Sequence, residues 1–91
     1  MHGTTQSPAS WRPVEELLRH RGHRTVAVDL PTDRPDLRAV DYAAIVRAQA
    51  GDALAPVLVG HSGAGLLMPA IARAVAASHL VWVAAMIPGP V

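Results

Sequence analysis

Ten residues, Pro56-Val57-Leu58-Val59-Gly60-His61-Ser62-Gly63-Ala64-Gly65, restrict what this chain can fold into more than any other stretch. The first half is a short apolar run rich in β-branched residues, with Pro on one side and Gly on the other. It reads as a buried strand. The second half passes into a helical pattern with no loop between, which puts Ser62 on the corner itself. A serine on a strand-to-helix turn between small residues has the form of a nucleophile elbow. Backbone strain there lifts the hydroxyl clear of the sheet, and the following helix points its amide end at the site. Gly60 and Ala64 flank Ser62 two residues away on either side and must stay small. Ala64 stands where the usual form has glycine, and Gly65 gives further room one residue on.

Composition limits what can be built on that corner. With 91 residues, of which 51% are hydrophobic, the chain makes one domain with a modest core. Net charge is only +1, and all eight basic residues are arginines spread along the chain without a block. No phosphate-backbone footprint results, so nucleic acid is not an expected partner. The absence of cysteine excludes disulfide scaffolds, zinc knuckles and thiol chemistry, and leaves the redox compartment open. The start of the chain is polar from His2 to Ser10 and no apolar run approaches a membrane span, so a cytoplasmic location without a membrane partner is expected. No cofactor and no metal are expected.

Along the chain, the spacing of Trp11, Val14, Leu17 and Leu18 predicts a helix capped by Ser10, with Pro13 in its first turn. Arg19, His20 and Arg21 load its C-terminal end and Gly22 closes it. Thr25–Val28 reads as a second buried strand, with Asp29 at its end in a loop-capping or exposed position. Leu37, Val40, Ala44, Ile45 and Ala48 predict a second helix closed by Gly51. After Ser62, the run from Leu66 to Val75 predicts a buried helix kinked at Pro69. Leu80–Ile87 reads as another buried strand, with Trp82 and Met86 in the core. Strands alternating with helices imply a parallel sheet with helices on both faces, an α/β fold.

On these landmarks the chain resembles the N-terminal and central part of an α/β-hydrolase superfamily member, and is most similar to small bacterial esterase-like serine hydrolases. The resemblance rests on the Gly60-His61-Ser62-Gly63-Ala64-Gly65 elbow, on His2-Gly3 where the family opens its oxyanion loop, and on Trp11-Arg12-Pro13-Val14, Gly22-His23-Arg24 and Asp29-Leu30-Pro31 at family-like spacing. It spans nearly all of residues 1–91, a single partial domain with the doubly wound sheet incomplete. The resemblance implies carboxylic ester hydrolysis of a small-molecule substrate. Ser62 would be the nucleophile, and the backbone N–H groups of Gly63 and Thr4 the oxyanion hole. His2 and Gly3 would organise the loop.

A serine of this kind needs a base and an orienting carboxylate, which follow the nucleophile in this fold. After Ser62 there is no Asp or Glu and the only histidine is His79, at the start of a strand. His61 adjoins the serine on a tight turn, where neighbouring side chains diverge. The resemblance therefore implies that the acid and the histidine lie beyond Val91. It also implies a strand ahead of Met1, between Thr25–Val28 and Pro56–Gly60, without which those two would face each other across a gap or pair directly. Two other classes stay open: a non-catalytic binding or assembly module, and a nucleotide-binding domain using the glycine-rich turn. Against the latter, Ser62 stands where a dinucleotide fingerprint has its second glycine, and the chain has no lysine for a phosphate loop. Oligomeric state and substrate identity are open.

Overall fold

Local sequence signals set the helices. In the structure, a computed structural model that describes residues 1–89, Pro8–Trp11 forms a 3₁₀ turn that runs directly into α1, Arg12–His20. Pro13 lies in the first turn, where its missing N–H costs nothing, and Arg19 and His20 sit at the negative end of the dipole. The chain then leaves through Gly22 at φ +84°. Ser10 does not cap this helix. It belongs to the 3₁₀ turn, and its hydroxyl donates to the Ser7 carbonyl at 2.8 Å. α2 is Ala39–Ala50, two residues later than Leu37 suggests, because the Asp41 carboxylate reaches back to accept the Arg38 N–H at 2.8 Å and fixes the start. Gly51 at φ +61° ends it.

The core lies where α2, α3 and the sheet meet. α3 is Met68–Val75, and its Met68 and Ile71 are fully buried beside Ala43, Val46, Leu58 and Ala64. Ser62–Leu67 is a 3₁₀ run instead of the first turns of one long helix. Pro69 therefore falls in the first turn of α3, where no hydrogen bond is lost, and the expected kink has no cause.

The sheet pairs β1, Val57–His61, with β2, His79–Val83, in parallel through α3, with Val57 opposite His79 and His61 opposite Val83. Parallel pairing with helical crossover confirms the α/β class. β2 is shorter than Leu80–Ile87 because its partner ends at the elbow. The chain turns at Ala84, φ +43°, where pairing ceases. Nor is β2 a core strand. Val81, Trp82 and Val83 remain 36–42% exposed and Met86, beyond the strand, is 56% exposed, because pairing with β1 satisfies the backbone edge and leaves the faces to which the side chains project uncovered.

Met1 lies on the other edge of β1. Its nitrogen donates to the Val59 carbonyl, and its carbonyl accepts the His61 N–H at 3.1 Å, the two bonds of a parallel bridge to Gly60. Thr25–Val28, expected as a strand, joins no ladder. Among the described residues its backbone groups make no hydrogen bond to any strand. The two segments do not pair with each other.

Burial lowers the Met1 α-amino group from its usual 8.0 to about 6. Between pH 6 and 8 the unfolded chain consequently holds more protons than the folded one, so stability rises with pH across that window. The expected gain is about 2 kcal/mol, from roughly two pK units less an allowance for residual solvation. Urea unfolding at pH 6 and pH 8 measures it. The same slope in an N-acetylated chain would show that another group is responsible.

Candidate active site

Ser62 sits at the end of β1 with φ +54°, in the left-handed region that a side chain enters only under strain of about 1–3 kcal/mol. The preceding His61 is still extended, and the 3₁₀ run begins at Ser62. The turn is therefore one residue wide. Small neighbours make it possible. A Cβ on Gly60 would come within 2.6 Å of Met68 Sδ, Ala64 is buried, and a Cβ on Gly65 would lie 2.1 Å from the Met86 carbonyl oxygen. Met86 and Trp82 act here instead of in the core. The Met86 N–H donates to the Ser62 carbonyl at 3.0 Å, and Trp82 Nε1 donates to the Gly65 carbonyl at 3.2 Å.

The Met1 bridge delivers His2, Gly3 and Thr4 onto this corner. A Cβ on Gly3 would stand 3.1 Å from Ser62 Cβ, and one on Gly63 would stand 2.6 Å from Thr4 Oγ1. Loop and elbow are in contact at both points. Gly63 lies in the first turn of a 3₁₀ run, so its N–H has no helical acceptor. Thr4 is held by its carbonyl, which accepts the Thr32 hydroxyl at 2.7 Å, and among the described residues its N–H has no partner.

His2 is 1% exposed and uses both ring nitrogens. Nε2 accepts the Leu30 N–H at 2.8 Å, which assigns the ring proton to Nδ1, donated to the Gly3 carbonyl at 2.8 Å. The ring thus staples the loop to the end of the Thr25–Leu30 segment and has no nitrogen free to relay a proton. Asp29 Oδ1 lies 3.7 Å from Nε2, but a nitrogen that accepts a hydrogen bond is neutral, so this is a contact and not an ion pair. The Asp29 side chain is exposed, and its backbone is clamped by Gln49, whose Oε1 accepts the Asp29 N–H at 2.7 Å while Nε2 donates to the Asp29 carbonyl at 2.9 Å.

Gln6 is the contact that sequence reasoning missed. Its Oε1 accepts the Gly3 N–H at 3.2 Å and the His61 Nδ1–H at 2.8 Å, joining the loop to the residue before the serine. Neither Gln6 nor Gln49 belongs to any periodic pattern or motif, so no signal marked them. His61 is turned to Gln6, and among the described residues no histidine is hydrogen-bonded to Ser62 Oγ. His79 pairs with Val57 at the far end of β1, about 16 Å from Ser62 at roughly 3.3 Å per residue. The corner thus brings together a strained serine, the Gly63 amide and Thr4, and among the described residues no histidine is bonded to the serine.

A family model described as "Alpha/beta hydrolase family" matches residues 1–91. No curated protein and no solved structure matches the chain. Among the described residues no helix is long and apolar enough to cross a membrane.

Proposed function

Because the chain belongs to the alpha/beta hydrolase family, we propose that it carries the nucleophile half of a serine hydrolase acting on carboxylic esters of small molecules, with Ser62 as the attacking residue. The observation that supports this most is the left-handed Ser62 at the strand-to-helix corner, with the Gly63 amide beside it and Thr4 packed against Gly63. Ser62 Oγ forms a bond to the ester carbonyl carbon, and the carbonyl oxygen gains negative charge as its π bond opens. The Gly63 and Thr4 N–H groups face that charge, each donor worth roughly 3 kcal/mol in the transition state. Collapse of the intermediate expels the alcohol and leaves an acyl-serine for water to hydrolyse. Both halves of the reaction need a group to accept and return the serine proton. Among the described residues His2 has both nitrogens engaged, His61 is turned to Gln6 and His79 stands at the far end of β1, so none of these three is placed to take that proton.

Two results are expected of the 91-residue chain. Prolonged exposure to excess fluorophosphonate labels Ser62 in preference to Ser7, Ser10 and Ser78, as read by peptide mass spectrometry. Turnover of a small activated ester is the same for the parent and Ser62→Ala. Labelling spread evenly over the serines, or nucleotide binding without labelling, would sink the nucleophile reading. Substantial turnover lost on Ser62→Ala would instead place the base within the chain.

A further inference from the structure

The Gly3 carbonyl and the Thr4 N–H belong to one planar trans peptide unit, so whatever fixes the carbonyl also aims the amide. Glycine supplies no restraint of its own, since its torsions are the least restricted of any residue. The restraint comes from neighbours. The Gly3 carbonyl accepts the His2 Nδ1–H at 2.8 Å and the Gln6 N–H at 3.1 Å. The second of these bonds closes a turn over Gly3–Gln6 with Thr4 and Thr5 at its tip.

The turn is fastened differently on its two sides. On one side, His2 Nε2 accepts from Leu30 and the Thr4 carbonyl accepts from Thr32, both just after Asp29. Toward the elbow, one atom makes every side-chain bond of the turn among the described residues. That atom is Gln6 Oε1, which accepts the Gly3 N–H at 3.2 Å and the His61 Nδ1–H at 2.8 Å. A backbone N–H can only donate, so the amide atom facing Gly3 is the oxygen, and the His61 ring must hold its proton on Nδ1. A Cβ on Gly3 would stand 3.1 Å from Ser62 Cβ, 3.3 Å from that oxygen and 3.4 Å from His61 Nδ1. Loop, glutamine and elbow meet at one point.

Resting on the reading of Ser62 as the nucleophile, we infer that Gln6 is a positioning residue for the oxyanion pocket: its side-chain oxygen, shared between Gly3 and His61, holds the turn so that the Thr4 amide stays beside the Gly63 amide. Gln6 touches no reacting atom. Its effect passes through the Gly3–Thr4 peptide, because two preorganised donors stabilise a developing charge only while both are aimed at it. What the position requires is an acceptor. Glutamate supplies one at the same reach, whereas methionine has a similar length and no oxygen. Gln6 is exposed, so both substitutions leave the core as it is.

The test compares the 91-residue parent with Gln6→Met and Gln6→Glu, above the ordinary histidine range of pH. Nitrogen-15 NMR reads the His61 tautomer and the Gly3 and Thr4 amides, and mass spectrometry reads the rate of fluorophosphonate labelling at Ser62. The phosphoryl oxygen of the reagent takes the place of the ester oxyanion, so the rate reports the pocket. The parent is expected to hold the Nδ1–H tautomer. In Gln6→Met that tautomer is expected to give way to Nε2–H, the two amides to shift, and labelling to slow at least tenfold. Gln6→Glu is expected to keep the tautomer and recover most of the rate. A merely structural part for Gln6 would lower the urea midpoint and leave the tautomer unchanged. A parent without the Nδ1–H tautomer, a Gln6→Met chain with parental amides or parental labelling, or a Gln6→Glu chain that behaves as Gln6→Met overturns the proposal. A parent whose Ser62 resists the label, while Gln6→Met still changes the tautomer and the amides, supports the fastening and overturns the nucleophile reading instead.

Discussion

A Gly65→Ala chain is expected to lose about 3–5 kcal/mol, from overpacking of roughly 1–3 kcal/mol and two hydrogen bonds of about 1 kcal/mol each. The added Cβ would stand 2.1 Å from the Met86 carbonyl oxygen, 2.9 Å from Ala85 Cβ and 3.0 Å from Trp82 Cδ1. The nearest of these is backbone and cannot rotate away. Relief requires the segment after β2 to move, which breaks the Met86 bond to Ser62 and the Trp82 bond to Gly65. For a domain of this size that is a large share of the roughly 5–14 kcal/mol available. Gly89→Ala is the control, since a Cβ there meets nothing within 4 Å. Urea midpoints for the two variants that coincide would show that the segment yields freely.

Met68→Ala is expected to cost about 2–5 kcal/mol, as for other buried Met or Leu truncations. Met68 is 0% exposed, and its sulfur lies under Gly60, where an added Cβ would come within 2.6 Å. The two positions therefore share one space. Gly60→Ala by itself crowds the sulfur, whereas in the Met68→Ala background it enters the space the truncation leaves. The double variant should be more stable than the sum of the single losses predicts, by 0.5 kcal/mol or more. Strict additivity in denaturant titrations would mean that Met68 does not support the elbow.

Much of this arrangement was legible in the sequence, because the elbow is local. The apolar strand, the abrupt change to helix and the small residues at 60, 63, 64 and 65 act within ten residues, and they put Ser62 on its strained corner. His2-Gly3 was marked only through the resemblance, since nothing in composition brings residue 2 to residue 62. The errors arose where pairing partners decide the outcome. Thr25–Val28 has strand composition, yet a strand is defined by its neighbour, and none pairs with it here. Trp82 and Met86 read as core because apolar content was taken for burial, whereas their contacts are polar bonds to the elbow. Pro69 reads as a kink only in a helix that begins ahead of it at Leu66, whereas α3 begins at Met68 and holds Pro69 in its first turn. Gln6 and Gln49 act through amide side chains across long sequence separations, and no periodicity reports such bonds.

The bridge at Met1 also orders events in time. The Pro56–Ser78 contact that opens the β1–β2 ladder closes 22 residues of chain, and the Met1–Val59 contact closes 58. By loop-closure entropy the second costs about 0.9 kcal/mol more than the first, and it gains one bridge where the first gains a five-residue ladder. β1, α3 and β2 therefore condense first, with Ser62 already on its corner, and the chain's opening residues dock last. The elbow itself exists early, while Thr4 reaches Gly63 only when the 58-residue loop has shut. In refolding, the contact between Thr4 and the elbow is thus expected to form last and, on unfolding, to open first.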